Sequence, residues 1–176
     1  MAKLRQIAQL GHEVLRQQAE PVHNFDDQKI IDVIDDMLMT LSESNGVGIA
    51  APQIYESYQI VIIASRPTPR YPDAPLMEPT LMINPEFQAL SPDREKDWEG
   101  CRSIPGIRAL VPRYSQIRVS YSDRQGQLQE QDLSGFVARV FQHEYDHLEG
   151  KVYLDRVENN GDIISEQEFQ KLISKP

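Results

Sequence analysis

The sequence of 176 residues has a single cysteine, which excludes an internal disulfide framework. It has no apolar run long enough to span a membrane, and its first residues lack the continuous apolar core of a signal peptide. Basic residues are outnumbered, with 18 Lys and Arg against 27 Asp and Glu, and no Lys/Arg-rich run occurs. An acidic chain of this kind is a poor candidate for binding a nucleic-acid backbone. These absences predict a soluble protein of a reducing compartment, without direct binding to membrane or nucleic acid.

What the sequence does contain is enough apolar side chains to form a core. Hydrophobic residues make up 40% of the chain and charged residues 26%. The length suits one domain, and no repeat or low-complexity tract divides it. We therefore expect a single domain over residues 1–176.

Three helices are predicted, one in the first quarter of the chain and two in the last. Apolar residues recur at steps of three and four from Asp26 to Ser44, where Asp26 or Asp27 can cap the start and Asn45-Gly46 the end. The second helix is expected to begin at Ser134 or Gly135, to continue through Glu149 and to close at Gly150. A short final helix follows a capping-box pattern at Ser165 and Glu168.

The predicted strands lie between these helices. A run of prolines from Pro67 to Pro79 predicts an irregular loop, and residues 123–126 are a plausible hairpin turn. Because the strands cluster in the middle, an α+β fold with a mostly antiparallel sheet is favoured over βαβ alternation. The segments with strand patterns are 58–64, 81–90, 114–123 and 127–133.

The segment QHEYDHLEG, residues 142–150, carries a metal-binding pattern. On a helix, His143 and His147 are one turn apart on one face and can bind one divalent ion. Glu144 lies about 100° round the helix from His143 and can act as a general base without binding the ion itself. The alternative is a solvated helix face that carries two histidines by chance.

A catalytic site of this kind needs a third ligand. Cys101, in WEGCRSIPG, is one candidate, because Glu99-Gly100 and Pro105-Gly106 indicate a shaped loop rather than a core strand. Taken alone, a lone cysteine is more simply a small buried hydrophobe or an incidental thiol. No histidine follows the motif, so the other candidates are carboxylates: Glu149, Glu158, Glu166 and Glu168.

The segment GVGIAAPQ, residues 46–53, is rich in small residues. Gly46 and Gly48 permit close approach of the backbone to a ligand, and the Gln53 amide can both donate and accept hydrogen bonds. The pattern does not match a dinucleotide or phosphate loop, so nucleotide binding is not expected. The simpler interpretation is a helix-to-strand connection.

Together these segments resemble the peptide deformylase family. Its GxGxAAxQ, EGCxS and HExDH motifs appear here in order as GVGIAAPQ, EGCRS and HEYDH, and LGHEVLRQQAEPV near the N-terminus resembles the usual opening of the family. The resemblance implies hydrolysis of the N-formyl group of nascent polypeptides that begin with formyl-methionine, releasing formate. It also implies an α+β fold with the sheet packed around the helix that carries HExDH, and one bound divalent ion, natively Fe(II), with Zn or Ni as substitutes.

The resemblance also implies roles for individual residues. Cys101, His143 and His147 match the metal ligands, and Glu144 matches the general acid/base. Gln53 and the backbone N–H of Arg102 would stabilise the oxyanion; many members carry Leu at this position, so we expect the Arg102 side chain to alter the rim of the cleft.

Substrate contacts are predicted around these groups. Val47, Ile49, Phe136 and Val140 are candidate walls of an apolar slot for the methionine side chain, with ordinary core packing as the alternative. Glu99 and Asp146 are candidates for orienting the histidines. His12 and His23 have no partner at ligand spacing and are expected to face solvent. The other predicted substrate-binding residues are Glu99 and the glycines Gly46, Gly48 and Gly100.

Two other functions remain open at this point. HExxH alone would allow a zinc-dependent endopeptidase, and a closed four-ligand site would indicate a non-catalytic metal- or peptide-binding module. The expected partner is the nascent chain, with the ribosome as a place of work, although the tail with Lys171 and Lys175 is not markedly basic. The bacterial cytoplasm is the expected location, and an organellar form would have the same sequence features.

Overall fold

The computed structural model describes residues 2–44, 46–68 and 71–174. Among these residues, no helix is both long and apolar enough to cross a membrane. The helices are α1 (Gln28–Glu43), α2 (Gly135–Leu148) and α3 (Glu166–Ile173). The strands, in chain order, are β1 (Gly48–Ala50), β2 (Ile60–Ser65), β3 (Met77–Ala89), β4 (Arg94–Cys101), β5 (Ile104–Tyr114), β6 (Gln116–Ser122), β7 (Leu128–Ser134) and β8 (Ile163–Ser165).

The strands form two sheets. One has five strands in the order β1-β2-β3-β6-β7, and the other has three in the order β4-β5-β8. Every pair of neighbouring strands in these two sheets is antiparallel. The predicted α+β fold with a mostly antiparallel sheet, an N-terminal helix and a short C-terminal helix is therefore confirmed. β1 and β4 are edge strands, so each has one backbone edge that no strand of its own sheet covers.

Alternation along β2 explains why its sequence is a continuous apolar run. Val61 and Ile63 belong to the core cluster around α2, which includes Phe141. Ile60 and Ile62 point the other way, into the cluster around α1. A strand with a helix on each face must be apolar at every position. The helix that carries HExDH is thus packed against the larger sheet.

The predicted ends of the helices are largely confirmed. The Asp27 side chain caps α1 by accepting from the backbone N–H of Lys29 at 2.9 Å, and Ser165 caps α3 by accepting from the N–H of Glu168 at 3.2 Å. Gly150 follows α2 with a φ of 68°, the left-handed conformation that favours glycine. Asn45, predicted to end α1, lies outside the described residues.

The main error of the sequence prediction concerns the hairpin of β4 and β5. The shaped loop expected around Cys101 is the end of β4, and the chain turns back at Arg102-Ser103. Charged residues in β4 and Pro112 in β5 hid the alternation that marks a strand. The strand predicted at 114–123 is also divided, because Tyr114 ends β5.

Two further segments are more ordered than predicted. GVGIAAPQ contains β1, which pairs with β2 from Gly48 to Ala50. The proline-rich loop ends early, since β3 begins at Met77 and includes Pro79. The β2–β3 pairing shifts register opposite this segment, and a proline is tolerated where a ladder hydrogen bond is already missing.

A Gly150→Ala substitution should lower the free energy of unfolding by about 2–4 kcal/mol, measured by urea denaturation. The new Cβ would have an unfavourable φ and would lie 2.7 Å from the backbone carbon of Arg16. Gly135→Ala is the matched control, because its φ of 57° is similar but no atom lies within 4 Å of the added carbon. Equal losses in both variants would show that the contact with Arg16 contributes nothing.

Candidate metal centre and active site

A cleft of about 680 Å³ is bordered by residues of the two edge strands, β1 and β4, and of α2. Gly48 contributes from β1, Gly100 and Cys101 from β4, and His143 and Glu144 from α2. The free backbone edges of β1 and β4 therefore border a space that reaches the HExDH helix. An extended peptide can bind in such a space by main-chain hydrogen bonds.

Three potential metal ligands converge at this cleft. One ligand atom from each of Cys101, His143 and His147 lies within 4.8 Å of the other two. The Cys101 Sγ is 3.5 Å from the Nε2 of His147. The two histidines meet because α2 places residues four apart on one face, and Cys101 joins them because β4 ends beside that face.

The chemistry of these donors fits a divalent ion. The Nδ1 of His143 is 2.9 Å from the Glu99 carboxylate, an arrangement that leaves its Nε2 available for a metal. Burial opposes ionisation of the Cys101 thiol, but His147 and His143 together lower the pKa of the thiol well below its usual value. Two imidazoles and a thiolate form an open three-ligand set typical of a catalytic ion.

Glu144 lies beside these ligands with its carboxylate enclosed. The residue is 5% exposed, and its Oε2 has no hydrogen-bond partner among the residues that the structure describes. A Cβ at Gly48 would clash with its Oε1, so a glycine is needed to accommodate this side chain. Burial raises the pKa of Glu144 to about 7, against the opposing effect of His143 and His147. The group is suited to accept and return a proton near neutral pH.

Gln53 presents an amide donor to the same point. Its Oε1 accepts from the backbone N–H of Ala50 at 2.9 Å, which turns its Nε2 towards the Sγ of Cys101 at 3.5 Å and the Oγ of Ser103 at 3.4 Å. Arg102 follows Cys101 in the hairpin turn and lines the cleft. Its guanidinium donates to the carbonyl of Ser44, so this side chain links the turn to the end of α1.

A buried network of charges supports His143. Glu99 accepts from Arg113 at 2.9 and 3.0 Å and from Arg139 at 2.9 Å, in addition to its contact with His143. Burial alone would raise the pKa of Glu99, but the charge of Arg113 and the hydrogen bonds from His143 and Arg113 hold that pKa well below its usual value. Asp146 is 2.6 Å from Arg113, so it supports the network from the other side.

The predicted substrate-binding residues divide into two groups. Ile49 lies in the core cluster of α1, because alternation along β1 turns it away from the cleft that Gly48 lines. The carboxylate of Glu99 is engaged by the arginines and His143. The predicted residues that do line the cleft are Val47, Glu99, Phe136 and Val140, together with the glycines Gly46, Gly48 and Gly100. His12 and His23 are exposed, as expected.

The alternative carboxylate ligands are engaged elsewhere. Glu149 pairs with Lys151 at 2.8 Å and Glu158 with Lys96 at 3.0 Å. Each of the other two also has a cationic partner, at 2.6 Å: Arg108 for Glu166, and Lys171 for Glu168.

The buried arginines are not predicted by the sequence patterns. Arg113 and Arg139 are 4% and 8% exposed, although arginine is almost never buried unless it is paired. Glu99 of β4 pairs with both arginines, and Asp146 of α2 pairs with Arg113. These partners are distant in sequence from the arginines. The available signal was an excess of charged residues in segments that also carry strand and helix patterns.

The sequence and fold are similar to those of known proteins. A sequence model of the polypeptide deformylase family matches residues 4–162. Peptide deformylase 2 of Nostoc sp. is 54% identical over 98% of this chain and 97% of its own length. The Shewanella oneidensis peptide deformylase 2 is 47% identical, covering 85% of this chain and 82% of its own.

Solved structures give the same result. The Met-Ala-Ser-bound class I type b peptide deformylase of Acinetobacter baumannii is 41% identical, with a TM-score of 0.85 over 89% of this chain and 100% of that chain. The Thermotoga maritima enzyme is 35% identical, with a TM-score of 0.78 over 89% of this chain and 99% of that chain. This chain belongs to the peptide deformylase family, metal-dependent enzymes that remove the N-formyl group from the formyl-methionine of new polypeptides.

Proposed function

We propose that Cys101, His143 and His147 hold the divalent ion, and that Glu144 is the general acid/base of deformylation. The observation that carries this proposal is the convergence of the three ligand atoms within 4.8 Å of one another, beside the cleft that Cys101, His143 and Glu144 line. A helix and a strand end supply these groups from distant parts of the sequence.

In the proposed mechanism, proton transfer and stabilisation of the developing charge are carried out by different groups of the protein. A divalent ion supplies Lewis acidity to the formyl oxygen and lowers the pKa of water. Glu144 takes a proton from the attacking water and later delivers it to the leaving amine, so that the carboxylate is regenerated. Its enclosure beside Gly48 holds the carboxylate at the reacting end of the cleft.

Two neutral donors serve the developing oxyanion. The Nε2 of Gln53 faces Cys101 because its amide oxygen is held by Ala50. The backbone N–H of Arg102 is the second donor in our proposal. One donor of this kind contributes about 10²–10³ to the rate in other acyl-transfer enzymes.

Substrate is held by the two edge strands and by an apolar slot. In our proposal, Gly46, Gly48 and Gly100 allow the peptide backbone to lie close to the protein backbone. Val47, Phe136 and Val140 provide apolar surface for the methionine side chain. Glu99 acts on His143, which its carboxylate contacts, rather than on the substrate.

The thiolate ligand favours a soft divalent ion, so we propose Fe(II) as the native metal, with Zn or Ni as substitutes. A ferrous thiolate site is open to oxidation, which is consistent with a reducing compartment. We also propose that the enzyme works in the bacterial cytoplasm on chains emerging from the ribosome. The net charge of −9 argues against tight binding to RNA itself.

The experiment that tests this proposal measures metal content beside formate release from formyl-Met-Ala-Ser. Protein stripped of metal is reconstituted without oxygen with Fe(II), Ni(II) or Zn(II). We expect about one ion per chain and formate release in each case, with the Fe(II) form alone losing activity in air. Equal stability of all three forms in air would contradict the ferrous site, and a metal-free protein with full activity would contradict the metal centre.

A further inference from the structure

Arg108 is a buried cation that the proposed reaction does not use. It lies on β5 with its side chain 2% exposed. Its guanidinium rests against the backbone of Gly100, where an added Cβ would lie 2.5 Å from its Nη1. Gly100 directly precedes the proposed ligand Cys101. Because a buried charge is costly unless it is paired, the partners of Arg108 show what this side chain holds in place.

The anionic partner of Arg108 comes from α3. Its Nε donates to one oxygen of Glu166 at 2.6 Å and its Nη2 to the other at 3.5 Å. Phe169, one turn further along α3, lies with its ring centre 5.0 Å from the guanidinium carbon. The match to the family sequence model ends at residue 162, before this helix begins. One arginine thus fastens α3 to the strand that leads to Cys101.

Besides Gly100, three cleft residues contact the cluster of Arg108, Glu166 and Phe169, and we call these three the outer wall: Tyr71, Trp98 and Gln170. The Nη1 of Arg108 is 3.4 Å from the Tyr71 hydroxyl. The ring of Trp98 lies 5.6 Å from that of Phe169. The Nε2 of Gln170 donates to the Glu166 carboxylate at 2.8 Å. Every residue of the outer wall therefore touches Arg108 or one of its α3 partners.

The path of the substrate leads to this wall. A peptide with its formyl group beside Cys101 that follows the free edge of β4 passes Gly100 and then Trp98. Its methionine side chain is taken up by the apolar slot of α2, so the residues that reach the outer wall are those that follow the methionine.

We propose that Arg108 is a positioning residue for substrate selection: with Glu166 it fixes the outer wall, which contacts the peptide residues after formyl-methionine. The proposal rests on the site described under Proposed function. Arg108 has no contact with the reacting groups, so its effect is exerted on binding of longer peptides. A substrate that ends at methionine should not sense it.

The test compares Glu166→Gln with Glu168→Gln, a matched control on the same helix whose side chain is 60% exposed. Steady-state kinetics are measured with formyl-Met-Ala-Ser and with formyl-methionine amide. We expect Glu166→Gln to raise KM for the tripeptide about tenfold through loss of a charge-assisted pair, and to leave its kcat and both constants for the amide within about twofold. Glu168→Gln should match the wild type with both substrates.

A KM for the tripeptide that Glu166→Gln leaves unchanged, or an equal loss with both substrates, would overturn the proposal. Gln170→Ala removes part of the outer wall at an exposed position. It should give a smaller increase in the tripeptide KM alone, and it serves as the deciding variant if Glu166→Gln does not fold. Formate release by the wild type from both substrates tests the proposed active site separately from the role of Arg108, because it does not depend on the outcome with the variants.

Discussion

Glu144→Ala is expected to keep its bound metal and to lose deformylation by about 10²–10⁴-fold, the usual contribution of a positioned general acid/base. In the proposed mechanism the carboxylate carries the proton from water to the leaving amine. The carboxylate of Glu99 cannot replace it, because it is engaged by Arg113, Arg139 and His143. Metal content per chain and formate release from formyl-Met-Ala-Ser, measured on the same sample, check the two parts of this expectation.

Two further variants make the result interpretable. Glu144→Gln keeps the shape of the buried side chain and should lose activity to the same extent, which separates proton transfer from packing. Glu149→Ala, on the exposed residue just beyond α2, should behave as the wild type. A Glu144→Ala protein with wild-type turnover would show that another group moves the proton.

Cys101→Ala is expected to lose most of its metal. Its rate of formate release should fall to the background of the assay. The thiolate is one of only three proposed ligands, and a two-histidine site binds divalent ions far more weakly. The substitution removes one sulfur atom from a partly exposed position, so the fold should remain intact. Metal content should fall below about a tenth of an ion per chain after dialysis, while the circular dichroism spectrum is unchanged.

The control for Cys101→Ala is His23→Ala, which removes an exposed histidine far in sequence from the motif and should retain full metal content. A Cys101→Ala protein that kept its ion would require a different third ligand. The downstream carboxylates are poor candidates for it, because Glu158, for example, is paired with Lys96 at the surface.

The motifs are short enough for the sequence to specify their local geometry. His143 and His147 share a face because a helix turns every 3.6 residues, and Glu144 follows from the same period. The ends of α1 and α3 were also predictable, since Asp27 and Ser165 cap helices through bonds to residues two and three positions away. Contacts of this kind depend on local chemistry alone.

The surroundings of the motifs were not predictable, because their partners are distant in sequence. Arg113 is buried only because Glu99 and Asp146 neutralise it from β4 and α2. The attachment of Arg108 to Glu166 spans 58 residues, and no pattern in either segment indicates it.

The sequence by itself determined the residues that we propose for the chemistry: helical periodicity indicated His143, His147 and Glu144, and the resemblance of three ordered motifs indicated the others. The tertiary structure decided how these residues meet. The end of β4, which belongs to the smaller sheet, meets the histidines of α2 through the contacts of Glu99 with Arg139 and His143. Alternation along β1 directs Gly48 to the cleft and Ile49 to the core. The physical reason is that burial and charge pairing act between elements, and their energy depends on distances in space that spacing along the chain does not specify.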